Sequence, residues 1–236
     1  MLTWLQPDSP FPSVEKALNA PNGLLAAGND LSPKRILDAY SRGIFPWFSE
    51  GEPVLWWSPD PRMVPFPDEF KISRSLSKAA ESGKFEIRID SAFQRVMAAC
   101  AEPRSGQKGT WIVPEMIASY SHLHAQGFAH SIESWLPNGD GGELVGGLYG
   151  MALGKVFYGE SMFARQTDAS KVALVALVEI LKQNGFQMID CQQETKHLAT
   201  LGARPIPRSE FTQRLKELIN FPLLPSSWQS CYVPAQ

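Results

Sequence analysis

Residues 129–163 read AHSIESWLPNGDGGELVGGLYGMALGKVFYGESMF and carry the clearest structural signal in the chain. Two turn signals, the Pro- and Gly-rich run 137–142 and Gly154, divide this stretch into three strand-like runs. The runs predict an antiparallel meander over 129–136, 143–153 and 155–163. The residues that follow predict a helix through 172–181, which is apolar on nearly every side and therefore buried, and then a strand over 187–191.

The segments on either side of the meander extend this pattern. Residues 85–89 alternate as a half-buried strand, two helices follow before the meander, and an amphipathic helix opens at Ser209. The predicted order of elements resembles the GNAT-like acyltransferase fold. It is one strand, two helices, three antiparallel strands, a buried helix, a strand and a helix. The sequence therefore predicts an α+β protein with a mostly antiparallel sheet and a GNAT-like catalytic domain over 63–236.

The first sixty residues are dense in Pro and Gly and form short elements, so a small N-terminal domain is predicted over 1–62. Trp56 and Trp57 are expected in its core. Trp47 differs, because it is followed by the polar loop 49–52, where an indole is difficult to bury. A loop tryptophan of this kind is a candidate stacking surface for a nucleic-acid base.

The composition is that of an ordinary folded protein. Of its 236 residues, 44% are apolar and 19% are charged, and the formal net charge is −2, so the chain has no general attraction for nucleic acid. Its three cysteines lie far apart without metal-ligand spacing, which indicates reduced thiols. We expect no signal peptide and no membrane span, and therefore a cytoplasmic protein.

Basic residues are concentrated in one part of the chain. Residues 71–108 contain eight basic and four acidic side chains, which gives this segment a charge of +4 and leaves −6 for the remainder. Ser73 can cap a helix that carries Arg74 and Lys78 on one face, with Lys71 just ahead of it. Such a patch suits one localised anionic partner, although a solvated helix face is the alternative.

Two acids stand inside segments that otherwise predict buried strands. These are Glu160 and Asp190, on strands expected to be neighbours. Burying a carboxylate is costly unless another group pairs with it. The pair therefore indicates either a reaction site or structural ion pairs, and the pattern alone leaves both open.

The loop before the buried helix argues against coenzyme A. Enzymes of this fold that use acetyl-CoA bind its pyrophosphate on backbone N–H groups of a glycine-rich loop. Residues 165–171 contain no glycine, and Asp168 would repel a phosphate. Another acyl donor is therefore expected.

Eight motifs run in order across nearly the whole chain, at 21–25, 42–48, 56–62, 109–112, 130–133, 146–150, 159–163 and 189–192. Together they resemble the leucyl/phenylalanyl-tRNA–protein transferase family of bacteria. The resemblance implies a small N-terminal domain and a GNAT-like C-terminal domain. It also implies transfer of leucine or phenylalanine from aminoacyl-tRNA to proteins that begin with Arg or Lys, which marks them for N-degron degradation. No metal or nucleotide cofactor is implied, because the tRNA ester is already activated.

The resemblance assigns three polar residues to catalysis. Asp190 is interpreted as the final acceptor of the proton that the attacking α-amine loses, and Gln192 as the group whose carbonyl oxygen holds that amine. On a regular strand the two side chains would face the same way. Glu160 is interpreted as the group that holds the acceptor's amine or charged side chain. Two alternatives remain: the tRNA ribose hydroxyl could carry the proton, and Glu160 could be a structural partner of Arg165 or Lys171.

The same resemblance assigns the binding residues. Trp47 and Trp111 would hold the terminal adenosine of the tRNA, and Lys71, Arg74 and Lys78 would bind the phosphates of its acceptor stem. An apolar pocket would take the donor's side chain and would accept methionine less well. By resemblance the walls of this pocket are Leu148, Phe157, Met162, Leu177 and Ile189.

Three other classes of protein explain only part of the same residues. A non-catalytic RNA-binding module would explain the tryptophans and the basic helix but not the two acids. A hydrolase with paired carboxylates would explain the acids but not the tryptophans. A metal enzyme is disfavoured, because His122 and His124 are two residues apart on a predicted helix, and both are expected to face solvent.

Overall fold

A computed structural model describes residues 2–103, 110–138, 140–222, 224 and 228–231. Arg104 and Lys108 of the basic segment, and Gly109 of the fourth motif, lie outside the described residues. Within these ranges, no helix combines the length and the apolar character needed to cross a bilayer.

Among the described strands, the seventh, eighth and ninth form the predicted meander. In chain order the strands are β1 (Thr3–Leu5), β2 (Leu24–Gly28), β3 (Phe45–Pro46), β4 (Val54–Trp57), β5 (Arg62–Val64), β6 (Glu86–Ile89), β7 (Ala129–Leu136), β8 (Glu143–Leu153), β9 (Val156–Ala164), β10 (Met188–Asp190) and β11 (Arg204–Ile206). The helices are α1 (Pro33–Ser41), α2 (Arg74–Glu81), α3 (Phe93–Ala101), α4 (Pro114–Ala125), α5 (Ala169–Gln183), α6 (Lys196–Thr200) and α7 (Arg208–Leu218).

The central sheet has five strands in the order β10-β9-β8-β7-β6. Its strands β6 to β9 pair antiparallel, and β10 joins the edge parallel to β9, so the prediction of a mixed α and β protein with a mostly antiparallel sheet is confirmed. Because Asp190 is in register with Tyr158, the end of β10 lies beside β9 two residues before Glu160. The two acids are therefore on neighbouring strands, as predicted.

Helices cover both faces of this sheet. On β8, Leu148 and the next residue, Tyr149, belong to different apolar clusters, because successive side chains of a strand point to opposite faces. Helix α5 packs on β7 and β8 from one side, while α3 and α4 contact these strands from the other. The approach of α5 is close: a Cβ atom on Gly146 would lie 2.5 Å from the Cβ of Ala169.

The N-terminal residues form a second sheet of four strands in the order β1-β2-β4-β3. Trp56 and Trp57 on β4 are buried, with exposed fractions of 0% and 9%, so the prediction that both belong to the core is confirmed. Helix α1 begins as predicted after Ser32, whose side chain accepts the N–H of Arg35. The division of the chain at residue 62 stays a prediction.

A short strand connects the N-terminal part of the chain to the edge of the central sheet. Strand β5 pairs antiparallel with β11. Two backbone hydrogen bonds also join this region to β10: the N–H of Ile189 donates to the carbonyl of Pro65, and the N–H of Cys191 donates to the carbonyl of Met63, both at 3.0 Å. This arrangement brings Arg62, the first residue of β5, against the end of β10.

Candidate active site

One large cleft contains most of the residues that the sequence assigned to binding and catalysis. Its volume is about 1140 Å³, and its lining includes Trp47, Trp111, Glu160 and Gln192. The apolar residues assigned to the donor pocket also line it; they are Leu148, Phe157, Met162, Leu177 and Ile189. The structure thus brings together residues from the N-terminal sheet, the central sheet and α5. The functional roles of these residues stay predictions.

Trp47 presents its indole ring to this cleft and remains 40% exposed. It follows β3, and its position is fixed by Trp57, whose Nε1–H donates to the Trp47 carbonyl at 2.7 Å. The two rings meet edge to face with centroids 5.5 Å apart. Trp111 is half-buried before α4 and lines the same cleft. Two indoles at one cleft provide surfaces on which a base can stack.

Glu160 lies at the centre of a hydrogen-bonded group that joins three parts of the chain. The hydroxyl of Tyr40 donates to its Oε1 at 2.7 Å, the hydroxyl of Tyr120 donates to its Oε2 at 3.4 Å, and the side-chain amide of Gln192 donates to Oε1 at 3.3 Å. The two tyrosine hydroxyls are themselves 2.7 Å apart. Burial raises the pKa of Glu160 to about 8, although the bonds from the tyrosines oppose this rise.

The alternative structural partners of Glu160 bind elsewhere. Arg165 pairs with Glu102, and Lys171 pairs with Asp168 at 3.1 Å. Sequence reasoning missed Tyr40 and Tyr120, because both stand at buried positions of helices α1 and α4 and nothing local distinguishes them from packing residues.

Asp190 is fully buried and bound by Arg62. The Nε and one terminal nitrogen of Arg62 donate to the two carboxylate oxygens at 2.8 Å and 2.7 Å. The guanidinium also lies over the rings of Phe45 and Phe211, with distances of 4.7 Å and 4.8 Å to their centroids. Sequence reasoning missed Arg62 as a site residue, although it closes the third motif. A bidentate pair of this kind fixes the carboxylate firmly.

The prediction that Asp190 and Gln192 share one face of a regular strand is wrong. Strand β10 ends at Asp190, and Gln192 has a left-handed backbone with a φ of 56°. The reason is local: the Gln192 backbone N–H donates to Oδ1 of Asp190 at 2.8 Å, so the aspartate turns the chain away from the strand. The Gln192 side chain then points to Glu160, and Asp190 lies beneath the cleft surface.

The predicted phosphate-binding residues are exposed on and before α2. This helix begins after Ser73, whose hydroxyl accepts the N–H of Leu76, as predicted. Lys71, Arg74 and Lys78 all face solvent. They do not line the cleft themselves, but α2 packs against α5, which lines the cleft through Leu177. Their role in phosphate binding stays a prediction.

The two histidines of α4 have different environments. His122 is exposed, as expected. The expectation is wrong for His124, whose ring stacks on Phe93 with centroids 4.3 Å apart and whose Nδ1 lies 2.8 Å from the carbonyl oxygen of Ala129. His124 is therefore a packing residue.

Comparisons with known proteins agree over nearly the whole chain. The family model described as "Leucyl/phenylalanyl-tRNA protein transferase" matches residues 64–216, and the model of that family's N-terminal domain matches residues 29–60. A protein of Nitrosospira multiformis named leucyl/phenylalanyl-tRNA–protein transferase is 62% identical over 94% of each chain. A protein of the same name from Chromobacterium violaceum is 60% identical over 98% of each chain.

A solved structure titled "Crystal structure of FemX" aligns with 77% of this chain and 70% of that chain, at 10% identity and a TM-score of 0.49. A likeness of this strength assigns no fold family, so the GNAT-like assignment stays a prediction. The family matches and the cleft define the class of the protein as an aminoacyltransferase. The chain belongs to the leucyl/phenylalanyl-tRNA–protein transferase family.

Proposed function

We propose that this protein transfers leucine or phenylalanine, and methionine less well, from aminoacyl-tRNA to the α-amine of proteins that begin with Arg or Lys. The acceptors would thereby be marked for N-degron degradation in the cytoplasm. One observation carries the proposal: a single cleft combines an apolar pocket, two accessible indoles and a carboxyl–amide pair formed by Glu160 and Gln192. We propose a GNAT-like fold for residues 63–236 and a separate small domain for residues 1–62.

The donor would be held from two sides. The terminal adenosine would stack on Trp47 and Trp111, each contributing about 1–3 kcal/mol. The leucine or phenylalanine side chain would enter the pocket formed by the five apolar walls. Lys71, Arg74 and Lys78 would bind phosphates of the acceptor stem without reading their sequence.

The electrostatic character of the cleft fits a cationic acceptor. Four acidic side chains line it, and among the described lining residues there is no Lys or Arg side chain. Glu102 is paired with Arg165, and Glu160, with its pKa of about 8, is mostly protonated at neutral pH, so the negative charge comes mainly from Glu50 and Glu52. An N-terminal Arg or Lys carries two positive charges, so it would be attracted to this surface.

The transfer step needs one proton to move from nitrogen to oxygen. The α-amine nitrogen attacks the ester carbonyl carbon, an amide bond forms, and the C–O bond to the ribose breaks. Gln192 donates its amide N–H to Glu160, so its own carbonyl oxygen is left to accept an N–H of the amine. In its ionised form Glu160 would take the amine proton and return it to the ribose oxygen; its pKa of about 8 is close to that of an α-amine, ~7.7–8.0.

Asp190 would act through Gln192. Both of its oxygens are bound to Arg62, and its contact with Gln192 is made to the backbone N–H, so it holds the turn on which Gln192 stands. Two alternatives remain: Asp190 is the final acceptor of the proton, or the ribose hydroxyl carries the proton. Under either alternative Glu160 only holds the acceptor, so Glu160→Gln should raise KM for the peptide with little change in kcat, whereas our proposal predicts that this variant loses most of its kcat.

The experiment that tests the function is a transfer assay with radiolabelled leucyl-tRNA. A peptide beginning with Arg should acquire the label, and the same peptide with an acetylated N-terminus should not. Release of free leucine without labelled peptide would identify a hydrolase, and donor binding with neither product would identify an RNA-binding module. Either result would overturn the proposal.

A further inference from the structure

The C-terminal part of the chain returns to the wall of the donor pocket. Trp228 is 1% exposed and belongs to the same apolar cluster as Leu148, Phe157, Leu177 and Ile189, which are four of the five pocket walls. Its ring lies against Phe157, with centroids 5.9 Å apart and planes inclined by 44°. Phe157 lines the cleft, whereas Trp228 does not. Trp228 thus forms a second layer behind this wall.

Three further contacts hold Trp228 in place. Its ring stacks on the buried His130 with centroids 4.1 Å apart, and it meets Phe186 edge to face at 5.6 Å. Its backbone N–H donates to Oδ2 of Asp90 at 3.4 Å, and the same oxygen lies 2.9 Å from Nδ1 of His130. The indole is therefore packed between the buried His130 and Phe186, which oppose its displacement when a ligand presses on Phe157.

We propose that Trp228 is a positioning residue that sets the depth of the donor pocket by backing Phe157, and thereby limits the size of the amino acid that the enzyme transfers. This inference rests on the proposed function. Its physical basis is that a packed wall rejects a larger side chain only as firmly as the layer behind it resists displacement. If the indole is removed, Phe157 can retract into the vacated space.

The test is a series of substitutions that remove increasing volume, Trp228→Phe, Trp228→Leu and Trp228→Ala. For each variant, kcat/KM is measured with phenylalanyl-tRNA and with leucyl-tRNA, using one arginine-initiated peptide. The ratio of kcat/KM for phenylalanyl-tRNA to kcat/KM for leucyl-tRNA should change little in Trp228→Phe. It should rise about tenfold in Trp228→Leu and Trp228→Ala, since the fit of a side chain to a pocket discriminates by roughly 10–200-fold. The ratio is insensitive to the fraction of folded enzyme, because both values come from the same preparation.

Trp135→Leu is the matched control. Trp135 is also a buried tryptophan, 5% exposed, but it belongs to the other apolar cluster and does not line the cleft. This variant should lose stability without changing the ratio. If Trp228→Ala does not fold, the Phe and Leu variants still test the trend.

The outcomes separate this inference from the proposed function. If the unmodified enzyme transfers neither amino acid, the proposed function fails. If it transfers both but the ratio stays constant through the Trp228 series, or moves equally in Trp135→Leu, the function stands and the role of Trp228 is overturned.

Discussion

Replacing Glu160 with Gln should make the protein more stable at alkaline pH and leave its stability at acid pH nearly unchanged. Burial raises the pKa of this carboxyl from an ordinary value of 4.5 to about 8. Because the folded-state pKa lies above the unfolded-state value, the protonated carboxyl favours the fold. That stability is fully present below pH 4.5, is lost as the pH rises to about 8, and changes no further above it.

The magnitude follows from the difference between the two pKa values. The rise of about 3.5 pH units, at ~1.36 kcal/mol per unit, corresponds to about 5 kcal/mol when the carboxyl is fully ionised. This is an upper bound, because Glu160 is only half-buried and water in the cleft solvates the carboxylate. We therefore expect Glu160→Gln to gain about 2–5 kcal/mol at pH 9. The hydroxyl of Tyr40 can still donate to the amide oxygen, and the hydroxyl of Tyr120 can donate to the Tyr40 oxygen 2.7 Å away, so no buried donor loses its partner.

The assay is urea denaturation of both proteins at pH values from 4.5 to 9. The free energies of unfolding should coincide at pH 4.5 and diverge between pH 5 and 8. Glu143→Gln, which changes an exposed carboxylate at the start of β8, serves as the control and should follow the unmodified protein. A difference between Glu160→Gln and the unmodified protein that does not vary with pH would refute the argument that burial controls this group.

Three further predictions concern the ion pair and the tRNA. Asp190→Asn should lower the free energy of unfolding by about 3–5 kcal/mol in urea denaturation, because it leaves Arg62 charged and buried; a loss below 1 kcal/mol would contradict this. Trp47→Ala and Trp111→Ala should each raise KM for aminoacyl-tRNA about 5–150-fold with little change in kcat, whereas an unchanged KM would exclude stacking. Replacing Lys71, Arg74 and Lys78 with Ala should reduce the slope of log affinity against log salt by about 3, measured by filter binding; an unchanged slope removes α2 from the tRNA interface.

Local patterns in the sequence were sufficient for the central architecture. The two turns at 137–142 and Gly154 and the apolar runs between them predicted β7, β8 and β9 to within one residue of their observed ends. Ser32 and Ser73 correctly marked the starts of α1 and α2. These features are predictable because capping, turn formation and alternation depend on neighbours within a few residues.

The walls of the cleft were predicted from the family resemblance, because residue type alone does not distinguish a pocket wall from the core. The apolar side chains that the resemblance assigned on β8, β9, β10 and α5 do line one cavity. The geometry at Gln192 was not predictable from strand periodicity, because a hydrogen bond from the Gln192 backbone N–H to the Asp190 carboxylate ends the strand at Asp190, one residue before its predicted end. The part played by Trp228 was also hidden, since its partners Phe157 and His130 lie far back along the chain.

Local sequence was enough to predict the meander, the buried helix and the entry of two acids into buried strands, since these features depend on residues close together in the chain. The contacts of those acids depend on the complete fold. Arg62 reaches Asp190 across 128 positions, and Tyr40 reaches Glu160 across 120. The charge state of a buried carboxyl depends on such distant partners and on its exclusion from water, so chain folding gave one acid a fixed cation and left the other with a pKa of about 8 in the cleft.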